Sequence, residues 1–123
     1  MPQPRRHILC ADDHEQIGLL MKRLLERAGH EVESVSDGQE AWNRLSANPD
    51  SYDFVITDHQ MPNLSGLQLV EKLRATGFPG KIIIQTCQLS PPEEDAFRAL
   101  AVDRILRKPG ELLQLVEIVN TAS

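Results

Sequence analysis

Five short apolar runs alternate along the chain with segments whose apolar residues recur every three or four positions, and few folds tolerate that pattern. The runs predict strands at Ile8 to Ala11, His30 to Val35, Phe54 to Thr57, Lys81 to Gln85 and Ile105 to Leu106. The third and fourth are continuous apolar runs, as strands buried on both faces require. Between them, Ile17, Leu20, Met21, Leu24, Leu25 and Ala28 predict a helix over His14 to Ala28, stopped by Gly29. Asp37-Gly38 opens a second helix through Ala41, Trp42 and Leu45, which Asn48-Pro49 ends. A third covers Ser65 to Ala75, with Leu69, Val70 and Leu73 inward and an end near Gly77. Pro91-Pro92-Glu93-Glu94 starts a fourth leading to Phe97 and Leu100, and Glu111 to Asn120 is the last, striped with Leu112, Leu115, Val116 and Val119. Five strand-helix pairs predict a doubly wound α/β fold, a five-stranded parallel sheet covered on both faces, with right-handed crossovers. At 123 residues, without repeats or long linkers, one domain over residues 1–123 is expected, with no output domain in this chain.

Chemistry collects where those runs end. Asp12-Asp13 follow the first, Asp58 the third, Thr86 the fourth and Lys108-Pro109 the fifth. In open parallel sheets, ligands bind outside the carboxyl ends of the strands. Three carboxylates, a hydroxyl and an ammonium at such an edge suit a hard divalent cation and a phosphate. A single aspartate there is more often a helix cap, and Asp13 alone has that explanation. The cap reading weakens when all five residues fall at the ends of four of the five strands.

Other classes are disfavoured. The 13 basic and 18 acidic residues give a net charge of -5, and no Lys/Arg face exists for a phosphate backbone, so direct nucleic-acid binding is not expected. Arg5-Arg6 precedes an apolar run too short for an export signal, and no stretch approaches the roughly 20 apolar residues of a membrane span. The two cysteines, Cys10 and Cys87, make no disulfide framework and fit core positions in a soluble protein of a reducing cytoplasm. Together with His14 and His59 they match no zinc spacing.

As an ordered set, Ile8-Leu9-Cys10-Ala11-Asp12-Asp13, Asp58-His59-Gln60-Met61-Pro62 with Gly66, Ile84-Gln85-Thr86 and Lys108-Pro109 resemble the receiver domain of two-component response regulators over nearly the whole chain. The resemblance implies a flavodoxin-like sheet in the order 2-1-3-4-5. It makes Asp58 the phosphoacceptor and gives Mg²⁺ as cofactor, held by Asp12, Asp13, Asp58 and the Gln60 backbone carbonyl. Thr86 and Lys108 would contact the phosphoryl group, and a cis Lys108-Pro109 bond would aim the lysine. A histidine kinase or phosphotransfer protein is the implied donor, with Gln16, Gly18, Leu19, Lys22 and Arg23 of the first helix as its contacts. A downstream protein target, read through the fourth helix, last strand and last helix, completes the expected partners of a monomer or weak dimer. The chemistry agrees: a carboxylate is a weak nucleophile toward phosphorus, so transfer depends on positioning and on cancelling charge. Pro62 shapes the loop, and Gly66 is either a tolerant early-helix position or a backbone needing close approach.

Three residues depart from the family pattern. Ile105 stands where receivers carry an aromatic switch residue and has no ring to swing. His59 replaces an apolar residue and is expected to be partly exposed, while Cys87 takes the place of a small residue after Thr86. Gln60 and Gln88 sit where receivers vary and set the acyl-phosphate lifetime. Two alternatives follow: a receiver-like interaction module independent of phosphorylation, and a Mg²⁺-dependent aspartyl-phosphate phosphohydrolase. The second lacks the aspartate two residues past the nucleophile, where Gln60 stands, and any cap segment. A non-enzymatic phosphoacceptor that catalyses its own phosphorylation and dephosphorylation is the leading expectation.

Overall fold

The computed structural model of the protein describes residues 5–108, 110, 111 and 113–121. Its strands are β1 (His7–Ala11), β2 (Glu31–Val35), β3 (Phe54–Thr57), β4 (Lys81–Thr86) and β5 (Arg104–Arg107). The helices are α1 (Glu15–Arg27), α2 (Gly38–Ala47), α3 (Gly66–Ala75), α4 (Pro91–Ala99) and α5 (Gln114–Thr121). All strand pairs are parallel, in the order β2-β1-β3-β4-β5. The fold class and strand order are as expected.

Successive strand residues point to opposite faces, and both faces are covered. Leu9, Ala11, Val55, Ile82 and Ile84 pack with Ala41 and Leu45 of α2, Leu69, Val70 and Leu73 of α3, and Phe97 of α4. Ile8, Cys10, Phe54, Ile56, Ile83 and Leu106 pack with Met21 and Leu25 of α1 and Leu115 and Val119 of α5. A sheet clad on both sides presents its reactive edges only at the strand ends.

Local signals fix the helix starts. Asp37 accepts from Glu40 N, and Ser65 with Gln68, like Ser90 with Glu93, forms a reciprocal capping box. Gly29 follows α1 at φ +98°, a left-handed conformation that favours glycine. Arg74 ties α3 to the end of α4, donating to Leu100 O at 2.8 Å and Ala101 O at 2.9 Å.

Several expectations shift. His14 and Ala28 cap α1 rather than lie in it, and a 3₁₀ turn at Pro49–Ser51 follows α2. His30 lies outside β2 with its ring buried between Arg6 N and Asn120 Oδ1. Thr86 belongs to β4, and α5 begins at Gln114, past the expected Glu111. Leu20 is exposed, because the stripe of α1 that meets the sheet runs through Gly18, Met21 and Leu25 and leaves Leu20 on its flank. Gly18 is therefore buried, where a donor-facing position was expected, and Gln16, Leu19 and Arg23 are exposed. Cys87 is exposed rather than in the core; both cysteines are free thiols. The expected cis bond at Pro109 and the inward Leu112 fall outside the described residues.

Candidate functional site

The sheet ladder continues one residue past three strand ends, and this sets the site. Asp58 N donates to Ala11 O at 2.9 Å, and Asp12 N donates to Val35 O at 3.1 Å. Asp58 therefore emerges from β3 beside Asp12 at the end of β1. Lys108 N donates to Thr86 O at 3.1 Å, which launches the lysine from the end of β5. Its four-carbon stem crosses the end of β4, and Nζ meets Asp12 Oδ2 at 2.5 Å and Asp58 Oδ2 at 2.9 Å. All three side chains are nearly inaccessible to solvent.

Burial alone lowers the Lys108 pKa, but hydrogen bonds and charges from Asp12 and Asp58 outweigh it and hold the ammonium above its ordinary value. Asp13 projects outward beside them, half exposed. Three carboxylates against one ammonium leave two negative charges, the deficit a divalent cation would fill. Oxygen atoms of Asp12, Asp13 and Asp58 and a ring nitrogen of His14 all lie within 4.8 Å of one another. A set dominated by carboxylate oxygens fits Mg²⁺, which takes one or two carboxylates and keeps several waters.

Asp58 is held at both oxygens: Oδ1 accepts from His59 N at 2.7 Å, and Oδ2 from Lys108. Close backbone packing fixes the segment behind it. A Cβ on Gly66 would fall 2.2 Å from Asp58 O and 2.7 Å from His59 Cα, while Gly66 N donates to His59 O at 2.8 Å. Gly66 is thus a site of close approach, resolving the two readings left open by the sequence.

The Thr86 hydroxyl donates to Gln88 O at 3.1 Å, inside its own loop. Gln60 is exposed in the loop that Asp58 begins. Ile105 is half-buried against the core. His59, expected to be partly exposed, is buried. Its Nδ1 accepts from Leu67 N at 3.3 Å, which leaves the Nε2 proton for Glu93 Oε2 at 2.7 Å. Its ring meets Phe97 edge-on at 5.3 Å. Bonds to Ser90 and then to His59 pull Glu93 down to about 2.

One residue at the site escaped the sequence reading, and another was weighed there only as a zinc ligand and set aside. Gln85 is fully buried, and its Nε2 lies 3.4 Å from Asp12 Oδ2. A lone amide in the apolar run of β4 was its signal. His14 places Nδ1 3.2 Å from Asp12 Oδ1 and 3.3 Å from Asp13 Oδ1, and its signal was adjacency to the acidic pair.

The sequence model of the response regulator receiver domain matches residues 8–120. Response regulator RppA of Synechocystis is 30% identical over 109 residues, 89% of this chain and 47% of that protein. Sensor histidine kinase GacS of Pseudomonas protegens is 33% identical over 117 residues, 91% of this chain and 12% of that protein. The chain spans less than half the length of these relatives. The receiver domain of Francisella response regulator 1452 superposes with a TM-score of 0.84 at 28% identity, over 94% of each chain. Among the described residues, no helix is long and apolar enough to cross a membrane.

Proposed function

The chain belongs to the response regulator receiver domain family, and from that premise we propose that Asp58 takes a phosphoryl group from a phosphohistidine or a small acyl phosphate. The observation that carries this is Lys108 Nζ bridging Asp12 and Asp58 beneath an open acidic cluster. Receivers are signalling domains rather than conventional enzymes, and the role of this one is to hold and release a phosphoryl group.

An Asp58 carboxylate oxygen attacks phosphorus opposite the donor's leaving group; the P–N or P–O bond breaks and its electron pair departs with the donor. With both Asp58 oxygens engaged, the incoming group must draw Lys108 off Oδ2, so the ammonium follows the negative charge onto a phosphoryl oxygen. Asp12, Asp13 and Asp58 would hold Mg²⁺, which when bound neutralises phosphoryl oxygens and orients the group. Gln85 steadies Asp12 from below the sheet edge. The His59 amide fixes the rotamer of Asp58. Thr86, whose hydroxyl now serves Gln88 O, is the group that would turn toward the added oxygens. A histidine kinase or phosphotransfer protein donates, and a protein target reads the change.

The experiment is intact mass after incubation with Mg²⁺ and acetyl phosphate, for the wild type, Asp58→Asn and a chelator control. One metal-dependent phosphoryl adduct confined to the wild type supports the assignment, and no adduct on a folded, Mg²⁺-binding wild type overturns it. The phosphorylation-independent reading draws on Ile105, which packs against the core without a ring to move. It gains if partner binding is the same for wild type and Asp58→Asn with donor present.

A further inference from the structure

We propose that His14 supplies an imidazole ligand to the cation site, making it a mixed oxygen-nitrogen centre that favours a borderline ion such as Co²⁺ or Zn²⁺ more than three carboxylates would. The inference rests on the cation site assumed for the phosphoacceptor role.

His14 Nδ1 hydrogen-bonds Asp12 Oδ1, and coordination would replace that bond, with the ring proton carried on Nε2; the spacing of the donors is near that of a coordination shell. His14 Nδ1 lies 3.2 Å from Asp12 Oδ1, 3.3 Å from Asp13 Oδ1 and 3.7 Å from Asp58 Oδ2. With metal-ligand bonds of roughly 2.1 Å, neighbouring donors of an octahedral or tetrahedral ion sit about 3.0–3.4 Å apart. Small side-chain adjustments would bring the nitrogen and three oxygens onto one centre. The backbone holds the ring in place, because His14 N donates to Asp12 Oδ1 at 2.8 Å. His14 is the N-cap residue of α1, yet its side chain makes no capping bond, so the ring is not committed to helix stability. The side chain is 56% exposed and open to solvent and an arriving ion.

The consequence follows from ligand softness. Mg²⁺ prefers oxygen and gives up water reluctantly, whereas imidazole suits first-row transition ions, whose affinities rise from Mn²⁺ through Co²⁺ toward Cu²⁺. Removing the imidazole therefore costs a borderline ion far more than it costs Mg²⁺.

The test is calorimetric titration of Mg²⁺ and Co²⁺ into the full chain and its His14→Ala and His14→Gln variants. All carry Cys87→Ser, so that the exposed thiol does not compete. The visible spectrum of bound Co²⁺ reports the ligand set directly, and Asp12→Asn marks binding elsewhere. The expected result is a loss of about ten-fold or more in Co²⁺ affinity in both variants. Mg²⁺ affinity changes by less than about three-fold, and the Co²⁺ absorption bands shift. Equal changes for both ions, no change for either, an unaltered Co²⁺ spectrum, or no cation bound at all would overturn the proposal. A wild type that forms the phosphoryl adduct but shows no His14-dependent selectivity defeats this inference alone. His14-dependent Co²⁺ binding without an adduct defeats the phosphoacceptor assignment alone.

Discussion

Gly66→Ala places a methyl group 2.2 Å from the Asp58 carbonyl oxygen and 2.7 Å from His59 Cα. An ordinary contact between carbon and that oxygen needs roughly 3.3 Å. About 1 Å must therefore open between the first turn of α3 and the segment carrying the proposed phosphoacceptor. Both neighbours are backbone atoms, so no side-chain rotation relieves the clash. Alanine in place of glycine favours a helix by up to about 1 kcal/mol. Inserting an atom into a packed site costs about 1–3 kcal/mol. A net loss of about 1–2 kcal/mol is expected, a fall of roughly 4–8 °C in Tm for a chain of this size. The functional effect should be larger, since a 1 Å misplacement of a reacting group costs on the order of 100-fold in rate. Urea unfolding gives the first quantity, and the time course of the acetyl-phosphate adduct by intact mass gives the second. A variant as stable as the wild type and phosphorylated at the same rate would refute the reasoning. Lost stability at an unchanged rate would show that α3 absorbs the shift and that Gly66 does not position Asp58.

Thiol titration of the native protein should modify one cysteine, Cys87, which is exposed. Cys10, pushed up to about 12 by burial and then by the Asp12 charge, should react only on unfolding, and Cys87→Ser should abolish the native reaction. Two equivalents reacting without unfolding would contradict the burial of Cys10. Glu93, lowered from 4.5 to about 2 in the folded state, contributes stability that is present above pH 4.5 and fades as pH falls toward 2. The Tm difference between wild type and Glu93→Gln should accordingly be constant near neutrality and shrink below pH 4.5; a difference that grows on acidification would reverse the assigned sign.

The framework was legible because its signals are local. A continuous apolar run as short as Phe54 to Thr57 fits a doubly covered strand, and Asp58 directly after it emerges at the sheet edge; Lys108 follows the half-exposed β5 and reaches the same edge. What escaped depends on which flank of an element meets a neighbour. Leu20 has the apolarity and the spacing of a core residue, yet the sheet touches the adjacent stripe of α1. His59 looked like a strand-end side chain, but Glu93 and Phe97 of α4, 34 or more residues away, close over it. Thr86 was placed correctly along the chain; where its hydroxyl points is a matter of rotamer, decided by Gln88 O. Gly66 could be narrowed to two readings, and only the packed position of α3 chose between them.

The Lys108–Asp12 bridge joins residues 96 positions apart. During synthesis, Asp12 and Asp58 leave the ribosome long before the segment that neutralises them. Until β5 docks at the sheet edge, Asp12 and Asp58 lack the ammonium that bridges them. The bridge that joins Asp12 to Asp58 is therefore completed only when β5 pairs with β4, after the strands that carry the two aspartates are in place.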